Sequence, residues 1–173
     1  MFSFILLIVL GGFAYYVHTQ PEAFRITRSL EMNAAPEAIF KHVNNLKLWD
    51  AWSPWAKLDP QATNSFSGPD AGVGAQMKWA GNMKVGVGGM SIVESTPAQS
   101  VKFRLDFEKP MRATNQAEFT FQATNGKTMV IWSMSGKNNF MGKAMSIIMN
   151  CDKMVGGQFE QGLAALKQIS EAA

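Results

Sequence analysis

Asp152 is the side chain best placed for chemistry in the last segment of the sequence. Apolar residues recur there at three- and four-residue spacing, and Asp152 falls on the same stripe as Ile148 and Val155. A carboxylate buried on such a stripe is costly unless it is paired or protonated. Asp152 therefore either orients a ligand hydroxyl or transfers protons, or it forms a salt bridge with a Lys or Arg at the helix edge.

Other catalytic candidates have less support. Cys151 would need a neighbouring base to act as a nucleophile, and neither His18 nor His42 is implied as its partner, so a small buried apolar role is the better interpretation. The Cys/His spacing of a metal site is absent from the sequence. The glycine-rich segment 68–74 lacks the Gly-Lys-Ser/Thr of a phosphate-binding loop. We expect no metal and no cofactor, and the sequence favours binding over catalysis.

Aromatic residues and methionines supply the material for a binding site. The chain has 12 Phe, 12 Met and 5 Trp, and ligand pockets are lined mainly by apolar side chains. A packed core uses the same residue types, and periodicity alone favours that interpretation. The candidate ligand-binding residues are Trp55, Met77, Trp79, Phe103, Leu105, Phe107, Phe119, Phe121, Trp132, Met134, Met145, Ile148, Asp152 and Val155.

Three tryptophans are closely spaced at Trp49, Trp52 and Trp55. Their indole rings either rim the mouth of a pocket or clamp short helices onto a sheet, and a buried indole N–H needs a hydrogen-bond acceptor. For Trp49 and Trp52 we favour the clamp. Pro54 cannot continue the short helix predicted at 46–51, so the chain turns between the second and third indole.

Alternation of apolar and polar residues predicts strands at about 24–32, 75–80, 84–95, 100–108, 113–123 and 128–136. Arg28 falls on the apolar phase of the first strand without an evident reason. Three glycines within one strand, at positions 86, 88 and 89, predict a bulge or a bend. Short turn signals separate the strands, so we expect hairpins and an antiparallel sheet.

Helical signals flank these strands. Pro36 and Glu37 mark the start of a helix after the first strand. Segment 140–167 predicts one long final helix, in which Gly156, Gly157 and Gly162 suggest close approach to the sheet or a kink. The predicted fold is an α+β helix-grip, in which a curved antiparallel sheet wraps around a long C-terminal helix.

The N-terminus differs in kind from the rest of the chain. Residues 1–20 contain no Asp, Glu, Lys or Arg, and a membrane span needs about 20 apolar residues. We expect a single-pass transmembrane anchor at 1–20, because a basic start and a small-residue cleavage site, as in a cleaved signal peptide, are lacking. Arg25 and Arg28 come after the span and weakly favour a cytoplasmic domain.

Length and charge limit the interpretation of the remaining residues. The 173 residues fit one domain, expected at 24–170, plus the N-terminal anchor. The net charge of +3 is dispersed, without a block of Lys and Arg, so we expect no nucleic-acid partner. The sequence leaves the oligomeric state open.

Several strings together resemble the polyketide cyclase/dehydrase-like branch of the START/birch-pollen-allergen (SRPBCC) superfamily: Trp49-x-x-Trp52-Ser53-Pro54-Trp55, Gly68-Pro69-x-x-Gly72-x-Gly74, Asp106-Phe107-x-Lys109-Pro110, Trp132-x-Met134-x-Gly136 and Met154-Val155-Gly156-x-x-Phe159-Glu160-x-Gly162-Leu163. The resemblance covers about residues 24–169. It implies a helix-grip fold around a hydrophobic cavity, in a superfamily whose members bind or transfer lipids and sterols or cyclise polyketides.

The expected function rests on this resemblance and on the apolar residues. We expect a membrane-anchored module that binds or transports a hydrophobic small molecule, lipid-like or polyketide-like, between the sheet and the last helix. One alternative is a cyclase or dehydratase in which Asp152 does acid–base work. Another is a protein-interaction domain with a closed core.

Overall fold

The computed structural model describes residues 2–172. Its elements are, in chain order, α1 (Phe2–Thr19), β1 (Ala23–Met32), α2 (Pro36–Asn44), the 3-10 helix η1 (Leu46–Ala51), α3 (Pro54–Leu58), β2 (Thr63–Ser67), β3 (Gln76–Ala80), β4 (Val87–Thr96), β5 (Ser100–Lys109), β6 (Ala113–Thr124), β7 (Lys127–Lys137), α4 (Phe140–Met149) and α5 (Cys151–Glu171).

The seven strands form one antiparallel sheet in the order β1-β7-β6-β5-β4-β3-β2. Strands β2 to β7 follow one another as a meander, and β1 joins β7 at the far edge. Asn125 and Gly126 have φ of 50° and 80°, the left-handed geometry that a tight hairpin turn requires. The predicted α+β class and antiparallel sheet are therefore confirmed.

The predicted bulge lies at the start of β4. The β4–β5 register shifts between Val87 and Gly88. A Cβ on Gly88 would lie 2.6 Å from the Trp79 ring and 2.7 Å from the Asp106 carbonyl oxygen. Only a glycine fits there, and the irregularity lets the sheet bend over the helices.

The prediction of one continuous final helix is wrong. Asn150 adopts a left-handed conformation, with φ of 46°, and separates α4 from α5. Its side chain accepts a hydrogen bond from the Lys153 backbone N–H at 3.2 Å, so Asn150 caps the start of α5. As a result α5 alone is the gripped helix, and α4 lies beside α1.

The core lies between α5, α2, η1 and the concave face of the sheet. Phe159, Leu163 and Leu166 of α5 are fully buried there. Trp49 and Trp52 are buried too, and their indole N–H groups donate to the Val43 and His42 carbonyl oxygens of α2. These two tryptophans thus tie the short helices together on the sheet, in agreement with the clamp interpretation.

Helix α1 precedes this body. The His18 carbonyl oxygen accepts a hydrogen bond from Lys143 Nζ on α4 at 3.5 Å, and Val17 is buried. Among the residues that the structure describes, no helix combines the length and the apolar character needed to cross a membrane. The transmembrane anchor predicted at 1–20 is therefore not supported.

Candidate functional site

A cavity of about 200 Å³ lies between the concave sheet face, α3 and the N-terminal half of α5. Its volume is several times the roughly 30 Å³ occupied by one water molecule in the liquid. Its wall is formed by Trp49, Asp50, Ser53, Trp55, Ala56, Ala62, Asn64, Met77, Trp79, Val85, Met90, Phe103, Leu105, Phe107, Ala117, Trp132, Met134, Val155 and Phe159.

Most of the predicted ligand-binding residues meet at this cavity. They come from α3, from the three strands β3, β5 and β7, and from α5, and they lie on the concave face of the sheet or opposite it. They are Trp55, Met77, Trp79, Phe103, Leu105, Phe107, Trp132, Met134 and Val155. Strand alternation placed the strand residues on one face, and the structure brings that face against the helices. Their role in binding stays a prediction.

Four apolar members of the predicted set do not line the cavity. Phe119 and Phe121 point to the concave face but lie deeper in the core, where Phe119 stacks on Trp132 and Phe121 contacts Phe40. Met145 and Ile148 belong to α4, which the break at Asn150 directs away from the sheet. Ile148 is 68% exposed. For Met145 and Ile148 the difference arises because the prediction assumed one continuous helix, whereas Phe119 and Phe121 are on β6. A role of these four residues in binding stays a prediction.

Asp152 is also outside the cavity wall, because it pairs with Arg28. Arg28 Nη2 donates to Asp152 Oδ2 at 3.0 Å, and Arg28 Nε donates to Glu160 Oε1 at 2.8 Å. These hydrogen bonds, led by that to Asp152, raise the pKa of Arg28 above its ordinary value. The salt-bridge interpretation of Asp152 is confirmed, and Arg28 lies on the apolar phase of β1 because it crosses α5 over Gly156.

Sequence reasoning missed several lining residues. Met90 and Ala117 lie on strands whose alternation was recognised, and Phe159 lies on the predicted apolar stripe of the last helix, so patterns existed for these three. Ala62 and Asn64 enter the wall through the edge strand β2 and the residue before it, and the sequence indicated only the end of this strand, at Phe66 and Ser67 before the glycine-rich segment. All five side chains of β2 are exposed, so its sequence gives no alternating signal.

The aromatic part of the wall is rigid. The Trp132 ring lies between Phe119, at a centroid distance of 4.6 Å, and Phe159, at 4.1 Å with an interplanar angle of 8°. Trp55 meets the edge of Trp132 at 5.7 Å. Such stacked and edge-to-face pairs contribute about 0.5–1.5 kcal/mol each beyond their buried area. One side of the cavity is therefore formed by aromatic rings packed against one another.

Polar groups occur at one part of the lining. Asn64 Nδ2 donates to Asp50 Oδ1 at 3.1 Å. Ser53 is only 8% exposed and precedes α3 at its N-cap, yet its hydroxyl makes no capping hydrogen bond. No Lys, Arg or His of the described residues lines the cavity. We call Asp50, Ser53 and Asn64 the polar corner.

Two other side chains that can do acid–base or nucleophilic chemistry, His42 and Cys151, do not line the cavity. His42 is on α2, where burial, and to a lesser extent Lys41, lowers its pKa. Cys151 opens α5 and does not contribute to the wall. Within residues 2–172, no group of three or more His, Cys, Asp or Glu is placed to hold a metal ion. The described lining is therefore predominantly apolar and contains one carboxylate, that of Asp50.

A helix-grip sheet around an apolar cavity defines a class of domains that bind hydrophobic ligands or act as cyclases. Residues 23–171 match the family described as polyketide cyclase/dehydrase and lipid transport. The chain belongs to this family, as its motifs suggested. No curated protein matches the chain significantly.

Solved structures share the fold at low sequence identity. Protein CV1439 from Chromobacterium violaceum is 16% identical with a TM-score of 0.60, over 88% of this chain and 99% of that chain. The Aha1 dimer from Colwellia psychrerythraea is 18% identical with a TM-score of 0.60, over 86% and 96%. The di-domain ARO/CYC BexL from the BE-7585A biosynthetic pathway is 14% identical with a TM-score of 0.64, over 91% and 53%. At these identities the likeness extends to the fold alone.

Proposed function

We propose that the protein binds a hydrophobic small molecule, lipid-like or polyketide-like, in the cavity between β3–β7, α3 and α5. The supporting observation is the lining, which is aromatic, aliphatic or methionine apart from the polar corner. Pockets for small molecules combine such a wall with a few polar groups that fix the orientation of the guest. The family description, which includes lipid transport, agrees with this use of the fold.

The size of the cavity limits the bound portion of the guest. Ligand pockets commonly measure roughly 300–1,000 Å³, and this cavity, at about 200 Å³, is smaller. A short chain or a small ring system fills it, and the rest of a longer molecule extends through the opening. Three methionines in the wall, Met77, Met90 and Met134, can change rotamer to follow the shape of the guest.

Binding is favoured over catalysis by the same lining. Asp50 is the one carboxylate among the described residues of the wall, and no histidine accompanies it. General acid–base catalysis needs a positioned proton donor and acceptor. Asp152, the catalytic candidate from the sequence, has both carboxylate oxygens directed at Arg28.

The binding proposal can be tested with the full chain in nanodiscs of phosphatidylcholine. Four of the five tryptophans line the cavity, so a bound neutral naphthyl probe, N-phenyl-1-naphthylamine, should receive energy from them in a saturable manner. Ala117→Phe fills the cavity and should remove the saturable signal. Ala123→Phe, on the exposed end of the same strand, is the matched control and should retain it.

Probe dissolved in lipid gives a background that does not saturate and does not depend on residue 117. Equal saturable signals from wild type and Ala117→Phe would contradict the proposal. Because a larger side chain in a packed region can itself disturb folding, thermal unfolding of each variant should accompany the titration. Ala62→Trp, at another part of the wall, provides a second way to block the cavity.

We also propose that α1 attaches the domain to a lipid surface. The side chains of residues 5–10 are all apolar and between 54% and 66% exposed. A helix with apolar residues on every side is normally covered by protein or lipid. Exposed apolar residues of the adjacent α4, among them Phe140, Met141 and Ile148, extend this surface.

Flotation with phosphatidylcholine vesicles tests this attachment. The wild-type chain should float with the vesicles, and the double variant Leu7→Asp/Ile8→Asp should remain in the dense fraction. Val73→Asp replaces an equally exposed apolar residue of a loop and should float like the wild type. Flotation of the double variant to the same extent would exclude α1 as the attachment.

A further inference from the structure

We infer that the guest carries a hydrogen-bond donor or a positive charge at one end, and that the polar corner of Asp50, Ser53 and Asn64 receives this end. The inference rests on the proposed binding function and names the chemical class of the ligand. An aliphatic or aromatic amine or alcohol belongs to this class. A fatty acid, or another anionic amphiphile that places its charge in the cavity, does not.

Three separate elements bring the polar corner together. Asp50 lies near the end of η1, Ser53 precedes α3, and Asn64 is on β2. The Asn64 amide donates to Asp50 Oδ1 at 3.1 Å, which holds the carboxylate at the cavity and leaves Oδ2 available to a second donor. Asp50 and Asn64 are thus in direct contact, and Ser53 lines the same cavity.

Ser53 adds a hydroxyl to the same wall. The residue is only 8% exposed and lines the cavity. A serine at this position normally caps its helix through the hydroxyl, but the Ser53 hydroxyl makes no such bond. It is also not among the fully buried oxygens of the described residues that lack a partner, so the hydroxyl or amine of a guest can reach it.

Asp50 is exposed to solvent and forms no ion pair within the part of the chain that the structure describes. The described lining contributes no basic side chain. A guest carboxylate or phosphate here would face a like charge without a counter-ion, which opposes binding. A guest ammonium would instead gain an ion pair.

The aromatic residues of the wall also favour a cationic guest. The faces of tryptophan rings are electronegative and attract cations within about 6 Å. Trp49 directly precedes Asp50 and Trp55 follows Ser53 by two positions, and both rings line the cavity. The remainder of the lining is apolar, so the polar end of a guest has one place to bind and its orientation is fixed.

Three probes of equal chain length test the inference: octylamine, 1-octanol and octanoate, each competing with N-phenyl-1-naphthylamine on the full chain in phosphatidylcholine nanodiscs. Octylamine and octanol should displace the probe at concentrations at least about tenfold lower than octanoate, after correction for partition into empty nanodiscs. Octanoate equal to or better than octylamine would overturn the inference.

Matched variants distinguish an effect of Asp50 at the polar corner from an effect of the overall charge of the protein. Asp50→Asn keeps the shape and the contact with Asn64 but removes the charge, and should bring octanoate within about threefold of octanol. Asp70→Asn removes an exposed carboxylate outside this cavity and should leave the order unchanged. An unchanged order in Asp50→Asn would refute the role of Asp50. If the probe itself fails to bind saturably, the binding function fails and the inference fails with it.

Discussion

Gly162 brings α5 into close contact with Trp132, a residue of the cavity wall. A Cβ at this position would lie 2.8 Å from Trp132 Cζ3 and 3.0 Å from Pro54 Cδ. Both neighbours are rings: the indole is stacked on Phe159 and the proline begins α3. Displacing either ring would cost free energy. The absence of a side chain at Gly162 therefore sets the spacing between α5, α3 and the sheet.

We predict that Gly162→Ala lowers the free energy of unfolding by up to about 2 kcal/mol. Overpacking of the new methyl group against Trp132 costs about 1–3 kcal/mol, and the usual helix preference of alanine over glycine offsets about 1 kcal/mol of this cost. Urea unfolding followed by circular dichroism measures the change. The same displacement of Trp132 should weaken binding of the naphthyl probe.

Gly157 of the same helix is the matched control, because a Cβ there meets nothing within 4 Å. Gly157→Ala should leave the protein as stable or raise its stability by up to about 1 kcal/mol. If the two substitutions change stability equally, the close contact at Gly162 does not control the packing of α5.

The sequence identified glycines of α5 as costly but could not rank them. Gly156 faces the Arg28 guanidinium, Gly162 faces Trp132, and Gly157 faces open space. Those differences depend on which side chains of distant strands lie opposite the helix. Arg28 is a second example of a position that the sequence alone could not explain. It lies on the apolar phase of β1 because it forms salt bridges with Asp152 and Glu160 of α5.

At the scale of elements, the junction between α4 and α5 decides which part of the C-terminal segment reaches the cavity. Apolar residues keep helical spacing on both sides of Asn150, so periodicity continues across a break that the backbone makes with one left-handed residue. Helical periodicity indicates which face of a helix is apolar, but it does not indicate whether the helix axis changes direction. The strands were easier to predict, because alternation within β5, β6 and β7 directly reflects a half-buried sheet.

We predict that Asn150→Ala lowers the free energy of unfolding by about 1–3 kcal/mol, since alanine lacks the capping oxygen and tolerates the left-handed conformation poorly. Asn150→Gly keeps the backbone conformation and should cost only a few tenths of a kcal/mol for the cap. Chemical unfolding of the two variants and the wild type measures the order. A stabilised Asn150→Ala would instead favour one continuous helix through 150.

At the scale of the whole molecule, the concave face of the sheet has two parts. One part is covered by closely packed core side chains, and the other borders the cavity. Beneath α5 and α2, the strands β1, β7 and β6 pack into a solid core that includes Met32, Phe121 and Val130. Along β3, β4 and β5, and at Ala117, Trp132 and Met134 of β6 and β7, the concave face borders the cavity. Core and cavity use the same residue types, so composition and alternation predicted the concave face but could not divide it into a filled part and an open part.

A guest that binds only the folded chain must stabilise the whole molecule. At a free ligand concentration of about 100 times the dissociation constant, the gain is about 2.7 kcal/mol. For a chain of roughly 150–250 residues each kcal/mol raises the melting temperature by roughly 2–4 °C. We therefore predict that saturating octanol raises the melting temperature of the full chain by roughly 5–10 °C.

The increase should be retained in Ala123→Phe and lost in Ala117→Phe, whose cavity is already filled. Differential scanning calorimetry in nanodiscs measures it, with empty nanodiscs as the reference. A similar increase in Ala117→Phe would mean that octanol stabilises the chain through another surface, such as the exposed apolar side chains of α1 and α4. In that case the Leu7→Asp/Ile8→Asp variant should lose the octanol-induced increase in melting temperature. That result would show that octanol acts at the exposed apolar surface and not in the cavity.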